Sequence, residues 1–171
     1  TMALTIRPAA LDDAPVLAGI YAPYVADTAI SFEYTPPDAE EFARRMMDIS
    51  AKYPYLVALQ NDKIVGYAYA HAFINRAAYD HCAELTIYLR TDERSRGTGA
   101  RLYNALIDEL RTMGIHNVYA CIARTDEPDK HLTNASEHFH RKIGFELCGT
   151  FPRCGYKFGK YYDMIWMGKF I

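Results

Sequence analysis

The chain has 171 residues, half of them hydrophobic, with a formal net charge of −2 and both signs interspersed. That composition excludes a disordered chain, the length carries a core without disulfides, and the lack of a basic stripe speaks against nucleic acid as a partner. No apolar run approaches the roughly 18 residues of a membrane span, and no basic region followed by an apolar block opens the chain, so neither a membrane anchor nor a secretory signal is expected.

Leu4-Thr5-Ile6-Arg7 reads as a short strand ended by Pro8. A helix is expected to open at Asp12 or Asp13, with Pro15 tolerated in its first turn. Its apolar face is Val16, Leu17, Ile20 and Tyr21, and Ala22-Pro23-Tyr24 should kink or end it. Residues 28–34 are irregular, and Pro36-Pro37 marks a boundary. Asp38 with Glu41 makes a capping-box-like start for a helix to about Lys52, with Phe42, Met46 and Ile49 on one face. Strands over 55–59 and 64–70 flank an Asn61-Asp62-Lys63 turn, which makes a hairpin. A polar connector over 74–81 follows.

The next stretch organises the chain. Over 82–89, Ala83, Leu85, Ile87 and Leu89 alternate with Cys82, Glu84, Thr86 and Tyr88, the period of a strand. Leu102, Leu106, Leu110 and Met113 recur at helical spacing, and Gly114 supplies the stop. Between strand and helix runs Arg94-Ser95-Arg96-Gly97-Thr98-Gly99-Ala100. Its glycines let the backbone turn tightly and let a ligand approach it. The first amides of the helix have no intrahelical partner and carry the positive end of the dipole, so with the arginines they make a site for phosphate. The Gly-Lys-Ser/Thr ending of a P-loop is missing, as is the third glycine of a dinucleotide fingerprint.

Downstream, 117–122 reads as a strand, 124–133 as a polar loop, 134–143 as a short helix ending at Gly144, and 145–151 as a strand. A glycine-bearing loop over 153–160 precedes a last strand over 161–170, with Tyr162, Met164, Trp166 and Gly168 on one face. This order predicts one α/β (α+β) domain over 2–171, with about four helices on a mixed, largely antiparallel central sheet.

Four cysteines, Cys82, Cys121, Cys148 and Cys154, are far apart and form no Cys-x-x-Cys pair, as expected for free thiols in a reducing compartment, the cytoplasm. Fourteen tyrosines suit a ligand cleft or a subunit interface, although ordinary half-buried positions account for many. His138 and His140 fall on different faces of a helix, so no metal is expected. Glu84 is the candidate general base. A carboxylate inside an apolar strand is costly unless paired or hydrated, and burial raises its pKa toward a useful range. A structural carboxylate bonded to a neighbouring strand is the alternative.

Arg-x-x-Gly-x-Gly-Ala after a strand with a central Glu resembles the acetyl-CoA pyrophosphate loop of the GNAT N-acetyltransferases, and the element order is similar to that fold along essentially the whole chain. Tyr53-Pro54-Tyr55-Leu56-Val57, Ala78-Tyr79-Asp80, Asn134-Ala135-Ser136 leading to His140 and Gly144-Phe145, and Gly155-Tyr156-Lys157-Phe158-Gly159 leading to Tyr162-Asp163 resemble the phosphinothricin acetyltransferase subfamily. Its members are typically homodimers that acetylate small amino-acid-like amines. Phosphinothricin, methionine sulfoximine and methionine sulfone are the acceptors it suggests.

The resemblance implies acetyl-CoA as co-substrate. It would lie along the main chain of Ile87, Tyr88 and Leu89, on the loop residues Arg94, Ser95, Arg96, Gly97, Thr98, Gly99 and Ala100, and against Asn134 and Lys142. An amide of the strand after Glu84 is placed to polarise the thioester carbonyl. Glu84 would draw the amine proton through water. His140, with a near-neutral pKa, would protonate the leaving thiolate. The chain departs from the subfamily in having Thr133 where an Asn is usual, and in a longer loop over 124–133. For the acceptor pocket, Phe32, Glu33, Asn75, Arg76, Tyr79, Thr86 and Lys157 are the candidates. Arg76 or Lys157 would suit a substrate carboxylate, with Lys157 read rather as a solvated charge. The alternatives are an acetyltransferase for another small amine or a protein N-terminus, a non-catalytic acyl-CoA-binding sensor, and an ATP-binding protein.

Overall fold

A computed structural model describes residues 3–93 and 97–171. In chain order it forms β1 (Leu4–Pro8), a 3-10 turn (Leu11–Asp13), α1 (Ala14–Asp27), α2 (Ala39–Ser50), β2 (Tyr55–Gln60) and β3 (Lys63–Ala72). There follow β4 (Cys82–Leu89), α3 (Thr98–Thr112), β5 (Asn117–Arg124), α4 (Ala135–Lys142), β6 (Glu146–Lys157) and β7 (Lys160–Phe170). The strands make a seven-stranded sheet in the order β1-β2-β3-β4-β5-β7-β6. Every neighbouring pair is antiparallel except β4 with β5.

Local chemistry sets most boundaries. Asp38 caps α2 by accepting from the Glu41 amide at 2.8 Å. Asn61 and Asp62 hold φ values of 52° and 60°, the left-handed pair that a two-residue hairpin uses. Phe158 and Gly159, at 54° and 71°, do the same between β6 and β7.

Some expectations are corrected. Of the two outcomes expected at Pro23, ending the helix is set aside, since α1 runs on to Asp27; Gly19, whose carbonyl Pro23 deprives of a donor, is exposed to solvent. Val16 and Met113, expected on apolar faces, are exposed. The stretch expected as a loop after residue 153 is strand to Lys157, with an irregularity between Phe151 and Gly155. On β7, Ile165 and Met167 join the main core, while Tyr162 is buried in a second cluster with Ala29, Ala123 and Leu132.

The two faces of the sheet differ. One is dry: Leu102, Leu106 and Leu110 of α3, with Phe139 and Ile143 at α4, pack on Ala83, Leu85, Val118, Ala120, Ile165 and Met167. The other carries α1 and α2 over a layer rich in tyrosine, with Tyr21, Tyr55 and Tyr67 buried and Tyr69 and Tyr88 against them. Between β4 and β5 the sheet is barely joined. Their parallel pairing covers Cys82, Ala83 and Glu84 opposite Asn117, Val118 and Tyr119. Beyond that point β4 stays with β3 as far as Leu89, and β5 with β7 as far as Arg124.

Candidate active site

Where β4 and β5 part, a cleft of about 550 Å3 runs through the sheet. Its walls come from both faces: Glu84, Thr86 and Tyr88 with Ser31, Phe32, Glu33 and Arg45 on one side, Tyr103, Ser136 and His140 on the other. Glu84 is the last β4 residue in register with β5. Its neighbour across the antiparallel pair is His71, and His71 Nε2 lies 3.5 Å from Glu84 Oε2. Burial pulls the His71 pKa down, but the hydrogen bond and charge of Glu84 outweigh it and leave the imidazole above its ordinary value. Glu84 is half-buried, faces the cleft, and has the His71 imidazole as its partner.

His140 also lines the cleft, as expected, but in a different state. It is 2% exposed. Nδ1 lies 2.7 Å from the Ser136 carbonyl, four residues back on α4, and Nε2 lies 3.0 Å from the Tyr103 hydroxyl. A carbonyl only accepts, so Nδ1 carries the proton and Nε2 accepts from Tyr103. Burial lowers the pKa to about 4, against a small opposing effect of the Ser136 hydrogen bond. The near-neutral value expected from the sequence is thus corrected: at neutral pH His140 is an uncharged imidazole with Nε2 as an acceptor.

Of the expected acetyl-CoA residues, Ile87, Tyr88 and Leu89 lie on β4 past its parting from β5, where the strand is paired on the β3 side. Gly97 takes φ 76° and turns the chain into α3, whose first intrahelical bond runs from the Arg101 amide to the Gly97 carbonyl at 3.0 Å. The amides of Thr98, Gly99 and Ala100 precede that bond and point out of the helix end. Gly99 has a second use: a Cβ there would meet the Phe139 ring at 3.0 Å, so the glycine seats α4 against α3. Arg94, Ser95 and Arg96 lie outside the described residues. Lys142 is exposed at the end of α4. Asn134 closes the 125–134 loop: its side-chain amide donates to the Thr125 carbonyl at 2.7 Å and accepts from the Thr125 amide at 3.0 Å.

The acceptor side is partly as expected. Phe32, Glu33 and Thr86 line the cleft. Asn75, Arg76 and Tyr79 do not; they lie exposed on the connector between β3 and β4. Lys157 is no solvated charge. It is 5% exposed, and its ammonium donates to the carbonyls of Val25, Thr28 and Ser31 at 2.6, 2.8 and 2.8 Å. Two groups were missed by sequence reasoning. One is His71, whose signal was its place on the strand hairpinned beside Glu84. The other is Arg45, which grips Glu33 at 2.8 and 3.0 Å while Glu33 also accepts from the Tyr21 hydroxyl. The Arg45 hydrogen bonds, opposed by burial, hold the Glu33 carboxyl below its usual range.

A parted parallel pair, a carboxylate at the parting, and a glycine turn into a helix end agree with the layout that the resemblance to the GNAT N-acetyltransferases implies. Residues 6–166 match the family model of an acetyltransferase (GNAT) domain. The chain is 32% identical over 170 residues to a phosphinothricin N-acetyltransferase of Streptomyces coelicolor, covering 97% of this chain and 95% of the relative. It is 30% identical over 169 residues to an L-methionine sulfoximine/L-methionine sulfone acetyltransferase of Pseudomonas aeruginosa, covering 97% and 94%. The crystal structure of a GNAT superfamily phosphinothricin acetyltransferase from Sinorhizobium meliloti in complex with AcCoA is similar at a TM-score of 0.88 and 34% identity, covering 98% of this chain and 88% of that one.

The chain therefore belongs to the GNAT family of acetyltransferases. It is an N-acetyltransferase whose acetyl donor is acetyl-CoA.

Proposed function

We propose that the protein acetylates the primary amine of a small amino-acid-like substrate of the phosphinothricin, methionine sulfoximine or methionine sulfone type, with both substrates held together in one domain over 2–171. The relatives' names support this acceptor class. The observation that carries the reading is Glu84, a carboxylate at the parting of β4 and β5 with His71 beside it.

Acetyl-CoA supplies an activated acetyl thioester. The residues to hold it are the free edge of β4 at Ile87, Tyr88 and Leu89, the α3 start at Gly97, Thr98, Gly99 and Ala100, and the loop residues Arg94, Ser95 and Arg96. Glu84 takes a proton from the acceptor's ammonium, directly or through a water. His71, its partner across the strand pair, aims the Glu84 carboxylate into the cleft. His140, neutral, commits its Nδ1 proton to the Ser136 carbonyl and its Nε2 lone pair to the Tyr103 hydroxyl, so it lines the opposite wall as a fixed, uncharged group that orients Tyr103. Alignment supplies much of the acceleration, and no covalent enzyme intermediate is needed.

The working form is a homodimer in the cytoplasm. Four free thiols accord with a reducing compartment. Exposed Leu147, Phe151, Tyr156 and Tyr161 on β6 and β7 supply apolar area for a second copy. Light scattering on the purified protein tests the mass.

Free-thiol release from acetyl-CoA against the three amines tests the function. Saturable release is expected, and Glu84→Gln should lower turnover about 10²–10⁴-fold with the KM for acetyl-CoA little changed. Near-normal turnover in that variant would remove Glu84 as the base. No release with any amine, with acetyl-CoA still bound, would favour the sensor reading.

A further inference from the structure

Three successive residues near the end of β6 grip the end of α1 and the loop that follows it. Gly155 leaves space that the Phe32 ring occupies, so closely that a Cβ would collide with the ring. The Tyr156 carbonyl accepts from the Tyr34 hydroxyl. Lys157 places its ammonium among the carbonyls of Val25, Thr28 and Ser31. An ammonium has three N–H donors and no acceptor, so these carbonyls match its capacity. A buried, fully bonded cation of this kind is a rigid joint, since removing either side leaves unpaired polar groups.

The loop so held is the wall of the cleft. Ser31, Phe32 and Glu33 all line it. Ser31 and Glu33 are further tied to the Tyr21 hydroxyl, and Glu33 to Arg45. The β6–β7 hairpin is itself braced behind the grip, through Lys160 and Tyr162 bonded to Asp129 at 3.1 and 2.9 Å. A chain of bonds thus runs from the 125–134 loop through the hairpin to the acceptor wall.

We propose that Lys157 is the positioning residue of the acceptor side: its ammonium fixes residues 28–33 so that Phe32 and Glu33 line the cleft on the side of Glu84, and the β6–β7 hairpin thereby sets which amines fit. This rests on the assignment of the cleft as an amine-acetylation site. Lys157 touches no reacting atom. It acts through the loop, and misplacement of a wall by about 1 Å is enough to cost up to 10²-fold in rate.

The test compares Lys157→Met and Lys157→Arg with wild type in thiol release, alongside hydrogen exchange of the 28–33 amides. Lys157→Met is expected to raise the KM for the amine roughly 10–100-fold while the KM for acetyl-CoA stays within about twofold, and to speed exchange over 28–33. Lys157→Arg, which keeps charge and donors, should recover part of the loss. Unchanged amine KM despite faster exchange would overturn the inference, and so would equal rises in both KM values. Should Lys157→Met fail to fold, Gly155→Ala, which displaces Phe32 alone, is read by the same split. If wild type turns over none of the amines, the functional reading falls, and unchanged exchange in the variant still overturns the positioning role.

Discussion

The two faces of β4 show what a single strand can be asked to do. On one face Ala83, Leu85, Ile87 and Leu89 meet α3, a contact of apolar carbon with Leu102, Leu106 and Leu110 fully enclosed. On the other, Glu84, Thr86 and Tyr88 look onto a cleft walled by tyrosines, a histidine and an arginine–carboxylate pair. The dry face stabilises the fold by removing apolar area from water. The wet face carries groups that a dry face would neutralise or expel. Alternation lets one strand serve both, and the parting from β5 lets the cleft reach across to His140.

The largest effect that should separate the faces is on stability. Leu106→Ala is expected to cost about 2–5 kcal/mol, seen as a lower urea midpoint, with the KM values of the surviving folded protein near those of wild type. A loss of amine affinity without a loss of stability would break the division.

The two histidines of the cleft sharpen it through pH. His140 is held neutral by burial, with a folded pKa of about 4, below the roughly 6.5 of an unfolded chain. The unfolded state therefore takes up more protons between those values, and stability is lost as pH falls from about 6.5 toward 4. In His140→Phe this acid loss should shrink, measured as the difference in urea midpoint from wild type at each pH. His71 has the opposite sign. Its folded pKa lies above the unfolded value because of Glu84. Its contribution is complete below about 6.5 and fades as pH rises past the folded value. The advantage of wild type over His71→Asn should therefore be greatest in mild acid. This is the smallest effect of the set, since the pair is partly open to water. Equal slopes for the two variants would contradict the assignment of one histidine to each environment.

What the sequence revealed follows the range of the interactions. Caps, hairpin turns and the strand–loop–helix around Glu84 are local, and Asp38, Asn61, Gly114 and the alternation over 82–89 mark them. Glu84 was visible because a carboxylate breaks an apolar pattern. Lys157 was misread because its partners lie 126 to 132 residues away, and an isolated lysine in a glycine-bearing stretch looks solvated. The bonds by which Asn134 closes a loop onto Thr125 were not visible either, because they span nine residues of a polar stretch without periodicity. Arg76 and Tyr79 sit on a connector whose course no periodicity specifies. The state of His140 depends on burial by α3 and α4 together, which neither segment encodes alone.

The short seam between β4 and β5 has a thermodynamic consequence. A sheet joined at its middle by three residue pairs has a short seam at the cleft. A molecule that binds the folded state alone adds RT ln(1 + [L]/Kd) to its stability, about 2.7 kcal/mol at a hundredfold excess over Kd. The melting temperature of this protein should therefore rise with acetyl-CoA concentration, and its lifetime in a cell should track the supply of acetyl groups.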